Sequence, residues 1–444
     1  MKLVLLTINL LIVVTCRKGF GPTEQEWGYV TVREGAHLFW WLHQTSANVD
    51  SYTERPLVIW LQGGPGASST GYGNFAELGP LDADLNPRNT TWIQYVNVLY
   101  VDNPVGSGYS YTDSLDALPI NNTQIAEDFV VLLRGIFNII PDLKNMPMYI
   151  FCESYGGKMA VEIALAVNQA VKNGSLEANL KGLGLGDSWI SPIDSVLTWA
   201  PYLLNLGIVD QNEYEQIQVS AEATKKALDR GNFSEATSLW SSTEALVKLV
   251  TNNVDFYNVL SQTPSQQGIR IFVFKNTEIL IQTFTVLGKS PHYLLTAEED
   301  EKINTLMNGV VKEALHLNHS WGFQSAFVFI YLREDFMKPV TDIVEILLNT
   351  TNIKIGVYNG QLDLIVDTPG TIKWVDNLEF KDSILWKTSE RSAMIVDNIV
   401  EGYYKKLGNL AVYWVNRAGH MVSIDNPSAM YYILNDVTEG FSNK

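Results

Sequence analysis

The apolar positions of this chain alternate between short continuous runs and longer segments with helical spacing. Residues 124–140 place apolar side chains on one face of a helix, and Thr123 precedes them as the expected N-cap. Because strand-like runs alternate with helical segments, the sequence predicts an α/β fold with a mostly parallel central sheet. The strand-like runs lie at 57–61, 96–101, 148–151, 180–186, 353–358 and 410–415.

Two other regions have a different pattern. Alternating apolar positions within 28–42, on either side of Glu34-Gly35, predict an antiparallel hairpin. From about residue 192 the chain changes to helical, charged segments, such as 214–230 and 298–315. This stretch is far longer than one helix and one strand require. It predicts a mainly helical cap domain, inserted over the active site at 192–339, between core segments 19–191 and 340–444.

The first residues predict a secretory signal peptide at 1–18. Lys2 precedes an apolar run at 3–14, which is too short to predict a membrane span, and small residues follow around position 15. A lipoprotein signal with a lipid on Cys16 is an alternative. Since Cys16 and Cys152 are the only cysteines, removal of the signal would leave one cysteine and no internal disulfide.

Charge and composition narrow the classes of partner. The formal net charge is −17 at pH 7, which argues against nucleic acid or anionic membranes as partners. No cysteine or histidine spacing typical of a zinc site is present. Behind a signal peptide, Asn-x-Ser/Thr sequences are candidate glycosylation sites. They occur at Asn89, Asn121, Asn173, Asn232, Asn318 and Asn349.

Ser154 is the candidate nucleophile. It lies in Cys-Glu-Ser-Tyr-Gly-Gly, residues 152–157, between an apolar run and a helix-like segment. A serine between a buried strand and a helix is typical of a nucleophile elbow, in which a sharp turn exposes the hydroxyl. A short pattern of this kind also arises by chance, so its interpretation depends on further residues.

Asp363 and His420 are the further residues that support Ser154 as a nucleophile. Each follows a strand-like run, and the chain order Ser, Asp, His is the order of α/β-hydrolases. A serine hydroxyl needs a base to take its proton, and that base needs a carboxylate to orient it. The alternatives are structural, with Asp363 as a turn cap and His420 as a core histidine.

A glycine-rich segment, 60–69, follows the run at 57–61. Glycines leave backbone N–H groups free to face a developing oxyanion, and the second donor is normally the N–H of the residue after the nucleophile, here Tyr155. A plain Gly/Pro turn is the alternative.

These motifs resemble those of the serine carboxypeptidase family, the secreted and lysosomal or vacuolar acid exopeptidases. The resemblance covers almost the whole chain and lies in blocks 60–80, 101–111 and 153–158 and in the loops of Asp363 and His420. Leu-Gln-Gly-Gly-Pro-Gly and Glu-Ser-Tyr-Gly-Gly-Lys-Met-Ala are most similar to the retinoid-inducible branch. The resemblance implies an α/β-hydrolase fold, peptide or protein C-termini as substrates, no metal or organic cofactor, and a secretory-pathway location, secreted or lysosomal/vacuolar.

The resemblance also implies a role for each matching residue. Ser154, Asp363 and His420 match the catalytic triad. Gly64 and Tyr155 match the backbone donors of the oxyanion hole. Gln62, Glu77 and Glu153 match the group that binds the terminal carboxylate of the substrate. Protonated carboxyls can donate to that carboxylate, whereas ionised ones would repel it, so the site favours acidic pH.

Three positions depart from the family pattern. Gln62 stands in place of Asn, Cys152 in place of Gly, and Ala67 in place of a frequent Cys. Two other functions therefore stay open. One is an acyltransferase or esterase on the same scaffold, and the other is a binding homologue with weak catalysis. The oligomeric state stays open as well.

Overall fold

The structure is a computed structural model, and it describes residues 19–261 and 297–440. The predicted signal peptide at 1–18, with Cys16, lies outside the described residues. In the described part of the chain, no helix is both long enough and apolar enough to cross a membrane.

Eleven strands of the described residues form one mixed sheet in the order β1-β2-β4-β3-β6-β7-β8-β11-β10-β9, with β5 paired to β2. The six central strands, β4-β3-β6-β7-β8-β11, are parallel, and the flanking pairs are antiparallel. The strands are β1 Gln25–Arg33, β2 Ala36–His43, β3 Leu57–Leu61, β4 Asn97–Val101, β5 Tyr111–Thr112, β6 Met148–Glu153, β7 Leu180–Gly186, β8 Lys354–Gly360, β9 Ser392–Val396, β10 Ile399–Leu407 and β11 Leu410–Val415.

Helices connect these strands and cover both faces of the sheet. They are α1 Asn122–Ile139, α2 Gly156–Lys172, α3 Pro192–Asn205, α4 Gln211–Asp229, α5 Phe233–Val250, α6 Ala297–Leu306, α7 Lys312–Ala314, α8 Ala326–Tyr331, α9 Arg333–Phe336, α10 Thr341–Thr350, α11 Thr368–Asp376, α12 Ser383–Thr388, α13 Val422–Asp425 and α14 Pro427–Val437. Two π-helical segments, Ser69–Leu78 and Met307–Val311, add to them.

The core follows from the alternation of side chains along buried strands. In β3, Ile59 and Leu61 face the cluster that includes α1 and α2, whereas Val58 and Trp60 face the cluster that includes α14. All five residues of β3 are buried. A strand that is apolar on both faces needs cover on both sides, which is why the central strands read as continuous apolar runs.

Most of the predicted elements are confirmed, with two corrections. Thr123 does not cap α1, because Asn121 is the N-cap and its side chain accepts a hydrogen bond from the Gln124 N–H. The helix predicted at 298–315 is interrupted by the π-helical segment, within which Gly309 leaves helical geometry (φ −102°, ψ −111°). Glycine can leave helical geometry at little cost because it has no side chain. The apolar spacing continues on both sides of Gly309, so the sequence pattern alone predicts an unbroken helix.

The chain contains the predicted helical insertion between β7 and β8, with α3 to α9 in its described part. The boundaries 192 and 339 stay a prediction. Among the candidate glycosylation sites, Asn121, the N-cap of α1, is only partly exposed. The remaining five, at 89, 173, 232, 318 and 349, are exposed, and glycosylation of all six stays a prediction.

Candidate active site

The carboxyl ends of the parallel strands bring the candidate residues to one edge of the sheet. In the strand register, Leu61 pairs with Cys152 and Glu153 pairs with Gly186. Gly186 pairs with Tyr358, and Gly360 pairs with Val415. The residues that follow these strands therefore meet at the same edge, where open α/β sheets bind their ligands. Those residues are Gln62, Ser154, Asp187, Asp363 and His420.

Ser154 occupies the turn between β6 and α2. Its φ is +61°, a left-handed conformation that a non-glycine residue adopts only under local constraint. Its carbonyl accepts hydrogen bonds from the N–H groups of Gly157 (3.0 Å) and Trp189 (2.9 Å). A Cβ on Gly63 would lie 2.6 Å from Ser154 Cβ, so the glycine-rich segment can approach the nucleophile only without a side chain.

His420 and Asp363 form a fully buried pair. Nδ1 of His420 lies 2.7 Å from Oδ2 of Asp363, and both side chains have 0% exposure. This contact places the proton of a neutral imidazole on Nδ1 and leaves Nε2 free to accept. Among the described residues, Nε2 has no hydrogen-bond partner. Burial lowers the pKa of His420 to about 3, so the ring stays neutral in mild acid.

The two loops that carry this pair are braced against each other. Leu362 N–H donates to the Ala418 carbonyl at 2.7 Å, and His420 N–H donates to the Tyr257 carbonyl at 2.7 Å. A Cβ on Gly360 would lie 2.0 Å from the Gly419 carbonyl oxygen, so the close approach of the loops requires glycine there. The ring of Tyr257 also packs edge-on against His420, with 5.0 Å between centroids.

Gly64 and Tyr155 are in place as candidate oxyanion donors. Gly64 lies in the pocket wall beside Ser154. Tyr155 is the N-cap of α2, so its backbone lies at the positive end of the helix dipole. The Tyr155 side chain is anchored from behind, because its hydroxyl donates to Oδ2 of Asp335 at 2.9 Å and accepts from Asn122 Nδ2 at 2.9 Å.

The same Asp335 is also the partner of a buried lysine. Lys158, on the first turn of α2, has 0% side-chain exposure, and its Nζ lies 3.0 Å from Asp335 Oδ2. Nζ also donates to the carbonyls of Asp335 and Lys338. Burial lowers the pKa of Lys158 to about 8, and the nearby Asp335 opposes that shift. The contacts hold α9 against α2 and so position Phe336, which lines the pocket.

Gln62, Glu77 and Glu153 form one buried polar cluster beside Ser154. Their exposures are 1%, 2% and 3%. Gln62 Nε2 donates to Glu153 Oε1 at 3.0 Å, and its Oε1 accepts from Trp60 Nε1 at 2.8 Å. Ser423 Oγ donates to Glu77 Oε2 at 2.6 Å. The two buried carboxyls interact with each other, and the charge of Glu77 favours the protonated form of Glu153.

Burial sets the protonation of this cluster. It raises the pKa of Glu77 to about 7, and the hydrogen bonds from Ser423 and Gln62 limit that rise. Burial and the charge of Glu77 raise the pKa of Glu153 well above its usual value. The pair therefore retains a proton in the range where solvent-exposed glutamates are ionised.

The pocket in front of Ser154 has walls that the sequence analysis did not identify. Aromatic and apolar side chains supply most of them, and several come from the helical insertion. The lining residues are Gln62, Gly63, Gly64, Glu153, Ser154, Trp189, Tyr257, Gln324, Phe336 and Ile365. Tyr257, Gln324 and Phe336 lie far from the motifs in sequence, and no motif marks them.

Asp187 and Ser423 were also missed. Asp187 directly follows β7, just as Ser154 directly follows β6, and that placement is the one signal that could have identified it. Its carboxyl, that of Asp363 and a ring nitrogen of His420 lie within 4.8 Å of one another. Ser423, three residues after His420, has no distinguishing pattern.

Comparison with known proteins places this geometry in a family. The family model described as "Serine carboxypeptidase" matches residues 18–440. The retinoid-inducible serine carboxypeptidase of Rattus norvegicus is 40% identical, over 99% of this chain and 97% of the relative. The human protein of the same name is also 40% identical, over 94% and 93%. Serine carboxypeptidase-like 51 of Arabidopsis thaliana is 37% identical, over 97% of each.

A solved structure shows the same fold. A Kex1 prohormone-processing carboxypeptidase from Saccharomyces cerevisiae aligns with a TM-score of 0.78 and 21% identity, over 94% of this chain and 91% of that one. At this identity the comparison supports the α/β-hydrolase fold.

Proposed function

Because the chain belongs to the serine carboxypeptidase family and is a serine-type carboxypeptidase, we propose that it removes C-terminal residues from peptides through an acyl-enzyme on Ser154. The observation that carries this proposal is the pair of buried carboxyls, Glu77 and Glu153, next to the nucleophile. A pair of carboxyls that shares protons can donate to a substrate carboxylate, which an esterase does not need to bind.

The triad supplies the proton transfers. Ser154 Oγ attacks the carbonyl carbon of the scissile amide, and its proton passes to Nε2 of His420. The N–H groups of Gly64 and Tyr155 stabilise the oxyanion. His420 then gives its proton to the leaving amine, and the C–N bond breaks. A water molecule attacks the acyl-enzyme, again with His420 as the base, and releases the acid and the free serine.

Two protonation states support an acidic optimum. The carboxylate-binding pair works while Glu77 or Glu153 holds a proton, and the pKa of Glu77 is raised to about 7 by burial. The base works while His420 is neutral, and its pKa is lowered to about 3 by burial. Both conditions are met between these values, so we expect activity in mild acid and weaker substrate binding as the pH rises through 7.

The test compares peptides with a free and an amidated C-terminus across the pH range, for the wild type, Ser154→Ala and His420→Ala. We expect the free-acid peptide to be trimmed in mild acid. Both variants should fall to background because triad members act as a unit, which corresponds to a loss of about 10⁶-fold in kcat. A fluorophosphonate probe should label Ser154 in the wild type, and the Ser154→Ala variant should not be labelled.

Labelling of a different serine would contradict the assignment of the nucleophile. Equal turnover of the free and amidated peptides at every pH would contradict the carboxylate-binding role. That second result would instead favour an esterase or acyltransferase on the same scaffold.

We also propose that the protein enters the secretory pathway, with a secreted or lysosomal/vacuolar destination. The support is the basic and apolar sequence at the start of the chain. N-terminal sequencing of the protein recovered from secreting cells tests it, and a mature chain that begins near residue 19 is expected. A chain that retains residues 1–18 would contradict it.

A further inference from the structure

Asp187 is a buried carboxyl next to the triad to which the proposed reaction gives no role. Its side chain has 0% exposure, and its backbone is left-handed, with φ +40°. Oδ1 accepts a hydrogen bond from the Gly360 N–H at 2.8 Å. Oδ2 receives no hydrogen bond from any donor in the described part of the chain. A buried carboxylate oxygen without a donor is costly, so the group needs either a cation or a proton.

The neighbours of Asp187 favour a proton. The groups that face it from the surrounding strands and loops are acidic or neutral, namely Asp363, Asp425, Glu153, Tyr358 and the His420 ring. No lysine or arginine forms an ion pair with it within residues 19–261 and 297–440. Burial, and then the charge of Asp363, raises the pKa of Asp187 well above its usual value.

Asp363 is the better acceptor of the two carboxyls. Its Oδ2 faces Nδ1 of His420 at 2.7 Å, and its Oδ1 accepts from the Val366 N–H at 3.2 Å. The Asp187 carboxyl lies within 4.8 Å of it, and the backbone N–H of Ile365 and the Asp187 side chain both act to lower its pKa. Burial raises the pKa of Asp363 as well, but the hydrogen bonds to this carboxylate favour its ionised form and oppose that rise, whereas at Asp187 the charge of Asp363 adds to the effect of burial. The proton of the pair therefore belongs on Asp187, because protonation of its Oδ2 disrupts no existing hydrogen bond.

We propose that Asp187 is a protonated positioning residue, whose carboxyl O–H donates a hydrogen bond to the Asp363 carboxylate and holds it in place against His420. The proposal deepens the proposed function, since it rests on the same triad. It gives the Asp363 carboxylate a donor in addition to the imidazole, and the three groups lie within 4.8 Å of one another. Asp187 does not line the pocket, so its effect should fall on the chemical step and not on substrate binding.

The proposal predicts a pH dependence of its own. At high pH Asp187 loses its proton, and its carboxylate then repels the carboxylate of Asp363. Asp363 then loses its alignment with His420, and kcat falls. This fall differs from the effect of the glutamate pair, because ionisation of Glu77 and Glu153 raises KM.

Asp187→Asn is the decisive variant. Its amide can donate to Asp363 at every pH, and asparagine tolerates the left-handed backbone. Asp187→Ala removes the donor, and Asp367→Asn is the matched control. Asp367 is also buried, and burial raises its pKa well above the usual value, but its side-chain partner is Thr198. Each variant is assayed across the pH range for the rate of Ser154 labelling by a fluorophosphonate and for kcat and KM on a free-acid peptide.

We expect Asp187→Asn to retain kcat within a few-fold in mild acid and to lose the alkaline fall in both kcat and labelling rate. Asp187→Ala should lose about ten- to a hundredfold in kcat with little change in KM. Asp367→Asn should keep the wild-type profile. An unchanged alkaline fall in Asp187→Asn, or a loss in Asp187→Asn as large as in Asp187→Ala, would overturn the proposal.

The two assays separate this inference from the proposed function. If labelling follows the expected profiles while no peptide is trimmed, the inference stands and the carboxypeptidase proposal fails. If peptides are trimmed while the profile of Asp187→Asn matches the wild type, the reverse holds. Should Asp187→Ala fail to fold, the comparison of the wild type with Asp187→Asn decides alone.

Discussion

Two polar clusters are buried close to Ser154, and they differ in how their charge is compensated. Behind Tyr155, Lys158 and Asp335 form an ion pair, and Asn122 donates to the same carboxylate at 2.6 Å. Beside Ser154, Glu77 and Glu153 form no ion pair with a lysine or arginine in the described residues. Lysine and hydrogen-bond donors lower the pKa of Asp335 despite its burial, whereas burial raises the pKa of Glu77 to about 7.

The difference separates a cluster that stabilises the fold from a cluster whose protonation changes near neutral pH. A buried ion pair keeps both charges over a wide pH range and locks neighbouring elements together. A buried acid pair without a cation changes its protonation near neutrality, and its donors and acceptors are available to a ligand. The ion pair lies behind the wall of the pocket, whereas Glu153 of the acid pair lines the pocket itself.

The largest effect is expected from breaking the ion pair. Asp335→Ala leaves Lys158 buried with only carbonyl partners, and Tyr155 and Asn122 lose their shared acceptor. We expect the free energy of unfolding to fall by about 3–5 kcal/mol, measured by urea denaturation. Asp229→Ala, which breaks the exposed Lys225–Asp229 pair, is the control and should change it by less than about 1 kcal/mol. Equal losses in the two variants would remove the distinction between the clusters.

A second prediction uses the opposite sign of the two pKa shifts. Glu77 has a raised pKa, so the folded state binds more protons than the unfolded state between about pH 4.5 and 7. The contribution of this group to the free energy of unfolding therefore decreases as the pH rises through that window. Glu77→Gln has no such loss and should gain about 3 kcal/mol relative to the wild type between these pH values.

Asp335 should show the reverse. Its pKa is lowered, so its contribution is present above the usual value near 3.8 and is lost as the pH falls. The gap between the wild type and Asp335→Asn should therefore shrink in strong acid. Differences between variants are the right measurement, because His43, whose pKa burial lowers to about 3, contributes alike to all of these proteins. A gap that moves in the same direction for both sites would contradict the comparison.

A third prediction concerns the function of the acid pair. Glu153→Gln carries a donor at all pH values, so it should extend hydrolysis of free-acid peptides toward neutral pH. Each hydrogen bond to a charged group is worth about 1.5–3 kcal/mol, so losing one through ionisation should raise KM about ten- to a hundredfold in the wild type. Glu162→Gln is the control, since Glu162 has a pKa raised by burial but lies outside the pocket lining. An identical pH dependence of KM in the wild type and Glu153→Gln would exclude the assigned role.

The residues around Ser154 differ in how well the sequence predicts them. The candidate triad residues could be identified because each follows a continuous apolar run, and those runs form β6, β8 and β11. Asp187 directly follows β7 in the same way, but a single acidic residue after a strand is not part of a recognisable motif, so the sequence analysis did not identify it. Lys158 and Asp335 lie far apart in the chain, and a helical lysine normally faces water, so no local pattern indicates their pairing.

The smallest effect is expected at Cys152, which is buried beside Glu153 of the acid pair and is itself neutral. Its side chain has 0% exposure, its Sγ donates to the Gly184 carbonyl at 3.4 Å, and burial raises its pKa to about 12. A reactive thiol needs a low pKa and access to solvent, and Cys152 has neither. It should behave as a small apolar side chain that fills the space beside the elbow.

We therefore expect a soluble disulfide reagent to leave Cys152 unmodified in the folded protein and to modify it fully after unfolding in urea. Reductant should not change the melting temperature, because Cys152 is the only cysteine in the described residues and is free. Cys152→Ser retains a donor toward the Gly184 carbonyl at similar volume, so its activity should stay close to that of the wild type. Rapid modification of the folded protein with loss of activity would mean that this part of the elbow opens to solvent, and the neighbouring glutamates would then be hydrated and would lose the raised pKa values on which the acid-pair predictions rest.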